Sequence, residues 1–270
     1  MESIDFLTQY YSSYDEDGRL ASRHGQVEFL TTMRYIEMYL APGMKILEIG
    51  AGTGRYSHAL ARMGYEVTAV ELVQYNLDIL NFKTLPGEKI TAIQGNALNM
   101  SFLPDEAYDM TFVLGPMYHL YTEADQRLAL SEALRVTKRG GLFYAAYCIA
   151  DAAIIQYGFY GGNIHELIDK GLLVVDEFGM FGADDAMRFV RPYELFKFCR
   201  KEDIDALLCG LPVSRLHYAA TDLFALYNRE ALDAMDDATF ELYMKYHFFL
   251  CERPDFAGMT NHSLDIMRKL

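Results

Sequence analysis

Residues 46–54 read Ile-Leu-Glu-Ile-Gly-Ala-Gly-Thr-Gly, and the rest of the chain is organised around this stretch. The apolar run from Lys45 to Ile49 is typical of a buried strand, and glycines follow it at positions 50, 52 and 54. A helix-compatible segment, 55–63, comes next. Because glycine adopts positive φ at little cost and has no Cβ to hold a ligand away, we predict a strand that turns sharply into a helix, with a ligand against the turn.

A dinucleotide site is the first alternative for this turn. Its fingerprint is Gly-x-Gly-x-x-Gly. Here the third glycine, Gly54, comes one residue early, and Arg55 stands where that glycine is required. The spacing therefore disfavours a pyrophosphate site for NAD.

Polar residues follow two of the later predicted strands. Glu71 ends the second strand, 65–71, and lies 21 positions beyond Gly50. A carboxylate at that edge of the sheet is placed to hold a ribose diol. Tyr118 and His119 follow the fourth predicted strand, and open α/β sheets bind ligands at the carboxyl ends of their strands. The alternative for His119 is a packing role.

The pattern Glu48-x-Gly50-x-Gly52-x-Gly54 resembles the first motif of the class I S-adenosylmethionine-dependent methyltransferases. The resemblance extends over residues 46–149, and this segment is similar to the small-molecule enzymes of that class. The motifs that carry it, besides the acid after the second strand, are Gly-Asn-Ala at 95–97, Leu-Gly-Pro-Met-Tyr-His-Leu at 114–120 and Arg-Val-Thr-Lys-Arg-Gly-Gly at 135–141. Their combination is much more specific than any one of them.

The resemblance implies a Rossmann-like, doubly wound α/β fold. Its seven-stranded sheet would be mostly parallel, with the last strand antiparallel and paired beside strand five. We expect one methyltransferase domain over residues 1–270. Its parts would be an N-terminal arm and helix at 1–43, a cofactor-binding core at 44–149, a substrate lid insertion after strand five at 150–200, and C-terminal strands and helices at 201–270.

Several boundaries within this fold can be predicted from periodicity and turn residues. The segment 124–136 is predicted to be an amphipathic helix that Lys138-Arg139-Gly140-Gly141 stops. The predicted elements after it are a fifth strand at 142–149, a helix at 201–209, a strand at 212–218, one helical segment at 231–251 and a last strand at 261–268.

The resemblance also implies S-adenosylmethionine as the cofactor and S-adenosylhomocysteine as its product. Glu48 and the glycine turn would hold the methionine end, and Glu71 the ribose. Asn96 stands where the family usually has Asp, and its amide oxygen would accept a hydrogen bond from the adenine amino group. The predicted cofactor-binding residues are Tyr14, Glu48, Gly50, Ala51, Gly52, Gly54, Glu71, Leu72, Asn96, Ala97, Leu114 and Gly115.

Methyl transfer from a sulfonium is an in-line displacement, so positioning and desolvation matter more than a covalent nucleophile. No metal is expected. His119 is the predicted general base, because the ordinary pKa of histidine lies near working pH. The alternatives for that role are Tyr11, Tyr14 and Tyr118.

Aromatic residues crowd the first 14 residues and the segment 157–198. We predict that both segments close over the cofactor and wall the acceptor pocket, which would suit an apolar or cationic acceptor. Simple packing of aromatic side chains under a loop is the alternative.

Composition excludes several partners and compartments. Lys and Arg number 24 against 38 Asp and Glu, so the net charge of −14 disfavours a nucleic-acid substrate. Four cysteines without Cys-x-x-Cys spacing indicate reduced packing thiols and no zinc site. Because the sequence has neither a leader pattern nor a long apolar window, we expect a cytoplasmic protein without a membrane partner, as a monomer or homodimer.

The sequence therefore predicts an enzyme that methylates a nitrogen or oxygen of a small-molecule acceptor. The alternative from another class is a non-catalytic module that binds S-adenosylmethionine or acts as a scaffold. A nucleic-acid methyltransferase is less favoured, because no Asn-Pro-Pro-Tyr follows the fourth strand.

Overall fold

The computed structural model describes residues 3–12, 18, 22–170, 173 and 195–270. Tyr14 lies outside the described residues, as do residues 171–172 and 174–194 of the predicted lid. The strands are β1 (Lys45–Ile49), β2 (Glu66–Glu71), β3 (Ile90–Gln94), β4 (Tyr108–Val113), β5 (Thr137–Ile149), β6 (Phe198–Cys199), β7 (Val213–Ala220) and β8 (His262–Lys269).

Helices connect nearly all of these strands. The α-helices are α1 (Ser3–Tyr11), α2 (Arg23–Glu37), α3 (Arg55–Arg62), α4 (Gln74–Lys83), α5 (Glu123–Val136), α6 (Ala150–Ala153), α7 (Ile164–Asp169), α8 (Lys201–Leu208), α9 (Arg229–Asp233) and α10 (Asp237–Leu250). Tighter or wider single turns occur at Pro116–Tyr118, Ile154–Tyr160, Leu223–Leu226 and Pro254–Phe256. In the part of the chain that the structure covers, no helix has the length and apolar character needed to span a bilayer.

The strands form one sheet in the order β3-β2-β1-β4-β5-β8-β7. β1 to β5 are parallel, and β8 runs antiparallel to both β5 and β7. The predicted fold, with a reversed last strand beside strand five, is confirmed. The sheet has eight strands rather than seven, because the two-residue β6 pairs with the end of β5.

The sheet is covered on both faces, as a doubly wound fold requires. Ile46 on β1 packs with α2, α3 and the end of α10, whereas its neighbour Leu47 packs with α5 and α8 on the other face. Side chains alternate between faces along a strand, so a strand buried on both faces reads as a continuous apolar run. This accounts for the apolar sequence before the glycine turn.

The predicted boundary between α5 and β5 is wrong. α5 ends at Val136, and Thr137 already pairs with Tyr108 at the start of β4. The register then jumps to Met110 opposite Leu142, so residues 138–141 form a bulge inside β5. The two glycines there allow this excursion, since Gly140 has a φ of +74°.

The single helix predicted over 231–251 is also wrong, because it is two helices, α9 and α10. The break falls at residues 234–236, where the Asp236 side chain caps α10 by accepting a hydrogen bond from the Thr239 N–H at 2.7 Å. A helix-starting Asp at that position outweighs the apolar periodicity that runs through it.

Candidate functional site

The turn after β1 is built so that only glycine fits at key positions. Gly50 has a φ of +74° and Gly54 a φ of +86°. A Cβ at Gly50 would lie 2.6 Å from Cδ of Pro116, and one at Gly54 would lie 2.7 Å from Cγ of Leu80. Both distances are far inside van der Waals contact, so the glycines let the turn lie against the loop after β4.

Glu48 is buried beneath this turn, with 2% of its surface exposed. Its carboxyl accepts a hydrogen bond from the Ser57 hydroxyl on α3. Burial raises the pKa of Glu48 to about 8, although the Ser57 contacts act in the opposite direction. Glu48 therefore carries its proton at neutral pH, and a nearby cationic ligand would favour its ionisation.

Glu71 ends β2 with its carboxylate directed at the glycine turn. One oxygen accepts the Gly52 N–H at 2.7 Å, and the other accepts the Val73 N–H at 2.8 Å. Each carboxylate oxygen has two lone-pair positions, so it can accept more than one hydrogen bond. Glu71 thus couples the glycine turn to the loop after β2, at the carboxyl edge where a ribose site was predicted.

A cavity of about 190 Å³ lies along the ends of β1 to β4, and we call it the strand-edge cavity. Glu71, Leu72, Asn96 and Ala97 line it, as do the glycine turn, Gly115 and Tyr118. The structure thus brings together the predicted ribose and adenine residues. Asn96 Oδ1 already accepts the Leu98 N–H at 2.9 Å, in a local turn.

Asn76 on α4 also lines the strand-edge cavity, and the sequence analysis missed it. The residue is 2% exposed, and its Oδ1 has no hydrogen-bond partner among the described residues. A buried amide oxygen without a donor costs roughly 1–3 kcal/mol, so a donor from a molecule bound in the cavity would stabilise this atom. No sequence motif marks it.

Two further cavities adjoin the strand-edge cavity. The glycine-loop cavity, about 60 Å³, lies on the other side of the turn and is lined by Glu48, Thr53, Arg55 and Leu114 together with the turn itself. The second, which we call the aromatic cavity, is much larger, about 790 Å³, and its lining includes Tyr10, Tyr11, Tyr157, Tyr160 and Phe196. Tyr118 lines all three cavities. The hydroxyl of Tyr118 donates to the Leu114 carbonyl at 3.0 Å, which holds this side chain across their junction.

The three predicted catalytic residues lie together. Nδ1 of His119 is 2.9 Å from the Leu195 carbonyl, which can only accept, so Nδ1 carries the ring proton. Nε2 therefore accepts from the Tyr11 hydroxyl at 2.8 Å. The rings of Tyr118 and His119 are in edge contact, 4.8 Å between centroids. Burial lowers the pKa of His119 to about 4, so the ordinary pKa on which its prediction as a base depended does not apply.

A second histidine cluster, which the sequence analysis missed, borders the aromatic and glycine-loop cavities. His262 begins β8 and Asp222 follows β7, while Glu28 reaches them from α2. Nδ1 of His262 donates to Asp222 Oδ2 at 2.8 Å and lies 3.5 Å from Glu28 Oε2. Burial acts to lower the pKa of His262, but Glu28, Cys148 and Asp222 hold it well above its usual value.

This cluster is also the one place among the described residues where three possible metal ligands come within 4.8 Å of one another. Asp222 is 1% exposed, and besides His262 it accepts hydrogen bonds from the Thr260 hydroxyl and the Asn261 N–H. A metal would have to displace the proton that His262 and Asp222 share. The arrangement is therefore a histidine held by two carboxylates rather than a set of metal ligands.

Comparison with known proteins agrees with this architecture. A family model described as a methyltransferase domain matches residues 47–145, the span from β1 to β5. The ubiquinone biosynthesis O-methyltransferase of Vibrio vulnificus is 24% identical over 177 residues, which are 65% of this chain and 68% of that protein.

Solved structures share the fold at low sequence identity. A SAM-dependent methyltransferase from Methanosarcina mazei has a TM-score of 0.57 and 17% identity, covering 87% of this chain and 97% of that one. Magnesium protoporphyrin IX methyltransferase from Synechocystis, solved with bound S-adenosylhomocysteine, has a TM-score of 0.55 and 12% identity, with 92% and 83% covered. Taken with the sheet order and the glycine turn, these matches identify residues 47–145 as a methyltransferase domain and support a class I S-adenosylmethionine-dependent methyltransferase.

Proposed function

We propose that this enzyme transfers the methyl group of S-adenosylmethionine to a nitrogen or oxygen of a small-molecule acceptor. The observation that carries the proposal is the junction at Tyr118. There, a cavity with the features of a nucleoside site meets both a small cavity at the glycine turn and a cavity of about 790 Å³. A volume of that size suits a drug-sized acceptor.

The strand-edge cavity fits the adenosine part of the cofactor. Glu71 supplies acceptors for a ribose diol, and the orphaned Asn76 Oδ1 supplies another acceptor deeper in the wall. Asn96 and Ala97 would border the adenine, while Leu72 would cover one side of the cavity. When bound, S-adenosylmethionine supplies an electrophilic methyl group on a positively charged sulfur.

The glycine-loop cavity fits the methionine part. Gly50, Ala51 and Gly52 line it with backbone, and the N-terminus of α3 begins directly after Gly54. Arg55 at that N-terminus would add a cation for the ligand's carboxylate. Glu48, Leu114 and Gly115 would close the side nearest the sulfur. The predicted contact of Tyr14 with the cofactor stays a prediction.

The arm and the insertion both contribute aromatic side chains to the walls of the aromatic cavity, which supports their assignment as parts of one substrate-binding lid. Tyr10 and Tyr11 line it from the arm, and Tyr157, Tyr160 and Phe196 from the insertion. Glu28, Asp222 and Glu230 also line this cavity, and together with the aromatic rings they favour an apolar or cationic acceptor over an anionic one. We expect slower hydrogen exchange in segments 8–12 and 155–170 when S-adenosylhomocysteine is added, and unchanged exchange would contradict the lid.

Within this arrangement Tyr11, Tyr118 and His119 would hold the acceptor against the methyl group. His119 fixes the Tyr11 hydroxyl, which borders both the aromatic and strand-edge cavities. Because the pKa of His119 is about 4, its Nε2 accepts this hydrogen bond at neutral pH but is a weak base.

Release of S-adenosylhomocysteine against a panel of phenols, amines and carboxylates tests the proposal. Phenols come first, because the Vibrio relative is named an O-methyltransferase. Calorimetry on the same protein should show binding of S-adenosylhomocysteine and none of NAD. Binding without turnover for any acceptor would favour the non-catalytic alternative, and NAD binding alone would contradict both.

A further inference from the structure

His262 occupies the border between the place proposed for the methionine end and the aromatic cavity. Its ring also lies 6.2 Å, centroid to centroid, from the ring of Tyr118, which stands at the junction of all three cavities. No other described histidine lines both of those cavities. His262 is therefore placed to contact an acceptor atom that approaches the proposed methionine site from the aromatic cavity.

The position of the His262 ring is fixed by Asp222. The Asp222 carboxylate is anchored by the Thr260 hydroxyl at 2.5 Å and the Asn261 N–H at 2.8 Å. The Thr221 N–H holds the His262 carbonyl at 2.9 Å. With Nδ1 donating to Asp222, Nε2 is the nitrogen on the far edge of the ring, and the Cys148 thiol is the ring's other side-chain hydrogen-bond partner. A thiol is a weak partner, so an acceptor's hydroxyl or amine can replace it at the ring.

We propose that Nε2 of His262, with its tautomer fixed by Asp222, is the general base that removes the proton of the acceptor during methyl transfer. The inference rests on the proposed function and deepens it, because it restricts the acceptor to a phenol, hydroxyl or amine that carries a dissociable proton. Asp222 is a positioning residue, since it acts through His262.

The step balances without a further reactant. The acceptor's O–H or N–H proton passes to neutral His262 Nε2, and the electron pair left on the acceptor atom forms the new bond to the methyl carbon. As that bond forms, the carbon–sulfur bond breaks and its electron pair remains on sulfur. The imidazolium that results carries a positive charge next to the Asp222 and Glu28 carboxylates, which stabilise it.

The charged and titratable neighbours of His262 come from four elements. They are Glu28 on α2, Asp222 after β7, Cys148 directly across on β5, and Tyr118 in the turn after β4. The two carboxylates and the thiol raise the pKa of His262, so the base form gains population as pH rises above neutrality. We expect kcat/KM to rise with pH and to level off above the usual pKa of histidine.

His119 does not meet the same requirements. Its hydrogen-bond partners are the Leu195 carbonyl and the Tyr11 hydroxyl rather than a carboxylate, and burial lowers its pKa to about 4. His262 has instead the buried carboxylate partner and the raised pKa that favour proton removal.

The test compares His262→Gln with His217→Gln. His217 is a matched control, because its Nδ1 also contacts a carboxylate, Glu252 at 3.0 Å, yet it lines none of the three cavities. With an acceptor found by release of S-adenosylhomocysteine, His262→Gln should lower kcat by on the order of 10² to 10⁴-fold. Affinity for S-adenosylhomocysteine should change little, and His217→Gln should match wild type. Imidazole added to His262→Ala should restore part of the rate.

A second readout does not need turnover. In the complex with S-adenosylhomocysteine, the ring Cε1–H resonance of His262, assigned by its absence in His262→Gln, should titrate above 6.5, and Asp222→Asn should lower that midpoint. Full activity of His262→Gln, or a ring that titrates below 6.5, would overturn the assignment alone. Absence of turnover by wild type with every acceptor would instead contradict the proposed function.

Discussion

Substitution of Glu71 by Gln tests the centre of the proposed cofactor site. In the folded protein both carboxylate oxygens accept backbone N–H groups, from Gly52 at 2.7 Å and Val73 at 2.8 Å. Glutamine keeps one acceptor oxygen and replaces the other with an NH₂ group, which cannot accept. At least one of the two N–H groups therefore loses its acceptor at a residue that is 5% exposed.

Two magnitudes follow from this geometry. A buried donor left unsatisfied costs roughly 1–3 kcal/mol of unfolding free energy. For a chain of this size that is a fall in Tm of about 2–10 °C. Loss of a charged acceptor for the ribose costs about 1.5–3 kcal/mol of binding, or roughly 10 to 150-fold in the Kd for S-adenosylhomocysteine.

Thermal unfolding and calorimetry measure the two effects separately. The control is Glu66→Gln on the same strand, whose exposed carboxylate lies 4.0 Å from the Lys45 ammonium, and surface pairs contribute little. If Glu71→Gln lowers Tm but binds S-adenosylhomocysteine as tightly as wild type, Glu71 only supports the turn and the ribose assignment is wrong. If neither quantity changes, the hydrogen bonds themselves do not form in solution.

Three further changes have expected outcomes. Gly50→Ala should lower Tm and weaken S-adenosylhomocysteine binding, because its Cβ would lie 2.6 Å from Pro116 and φ is +74°; calorimetry that matches wild type would refute this. The free energy of unfolding should fall as pH rises from about 5 to 8, by at most about 1.4 kcal/mol per pH unit. The reason is that native Glu48, with a pKa of about 8, keeps a proton in this range that the unfolded chain has lost. Urea titrations at several pH values measure this slope, and Glu48→Gln should lack it. Tyr11→Phe removes the donor to His119 Nε2 and should slow methyl transfer at least about tenfold while leaving S-adenosylhomocysteine affinity within a few-fold, as release assays can check.

The residues of the proposed cofactor site could be placed together from the sequence because their determinants are local. The turn at Gly50–Gly54 needs positive φ and close backbone approach, and Glu71 is the last residue of a strand whose partner ends at that turn. Short-range signals of this kind can be recognised without knowledge of the tertiary structure. Asn76 escaped prediction, because an asparagine inside a helix shows that it lacks a partner only when the packing around it is known.

Boundaries failed where long-range pairing replaced local signals. The pairing of Thr137 with Tyr108 extends β5 back to the end of α5, across two glycines that the sequence suggests are a stop. The break before α10 had a local signal in Asp236, but the apolar periodicity around it favours one continuous helix. In the first case the pairing of β5 with β4 determines the boundary, and in the second the Asp236 cap does.

The residues of the proposed acceptor side owe their position to the reversal of β8. In a parallel sheet, the residue that starts a strand lies at the edge away from the ligand, so His262 at the start of the last strand looks uninformative. Since β8 runs antiparallel to β5, its start lies opposite Cys148 near the carboxyl end of β5, and β7 ends next to it with Ala220 opposite Ser263. The reversal therefore brings Asp222 and His262 from distant points of the chain to the same edge as the glycine turn. Once a last antiparallel strand is predicted, its first residues are candidates for the site, and a histidine there should be weighed with the acid that follows its partner strand.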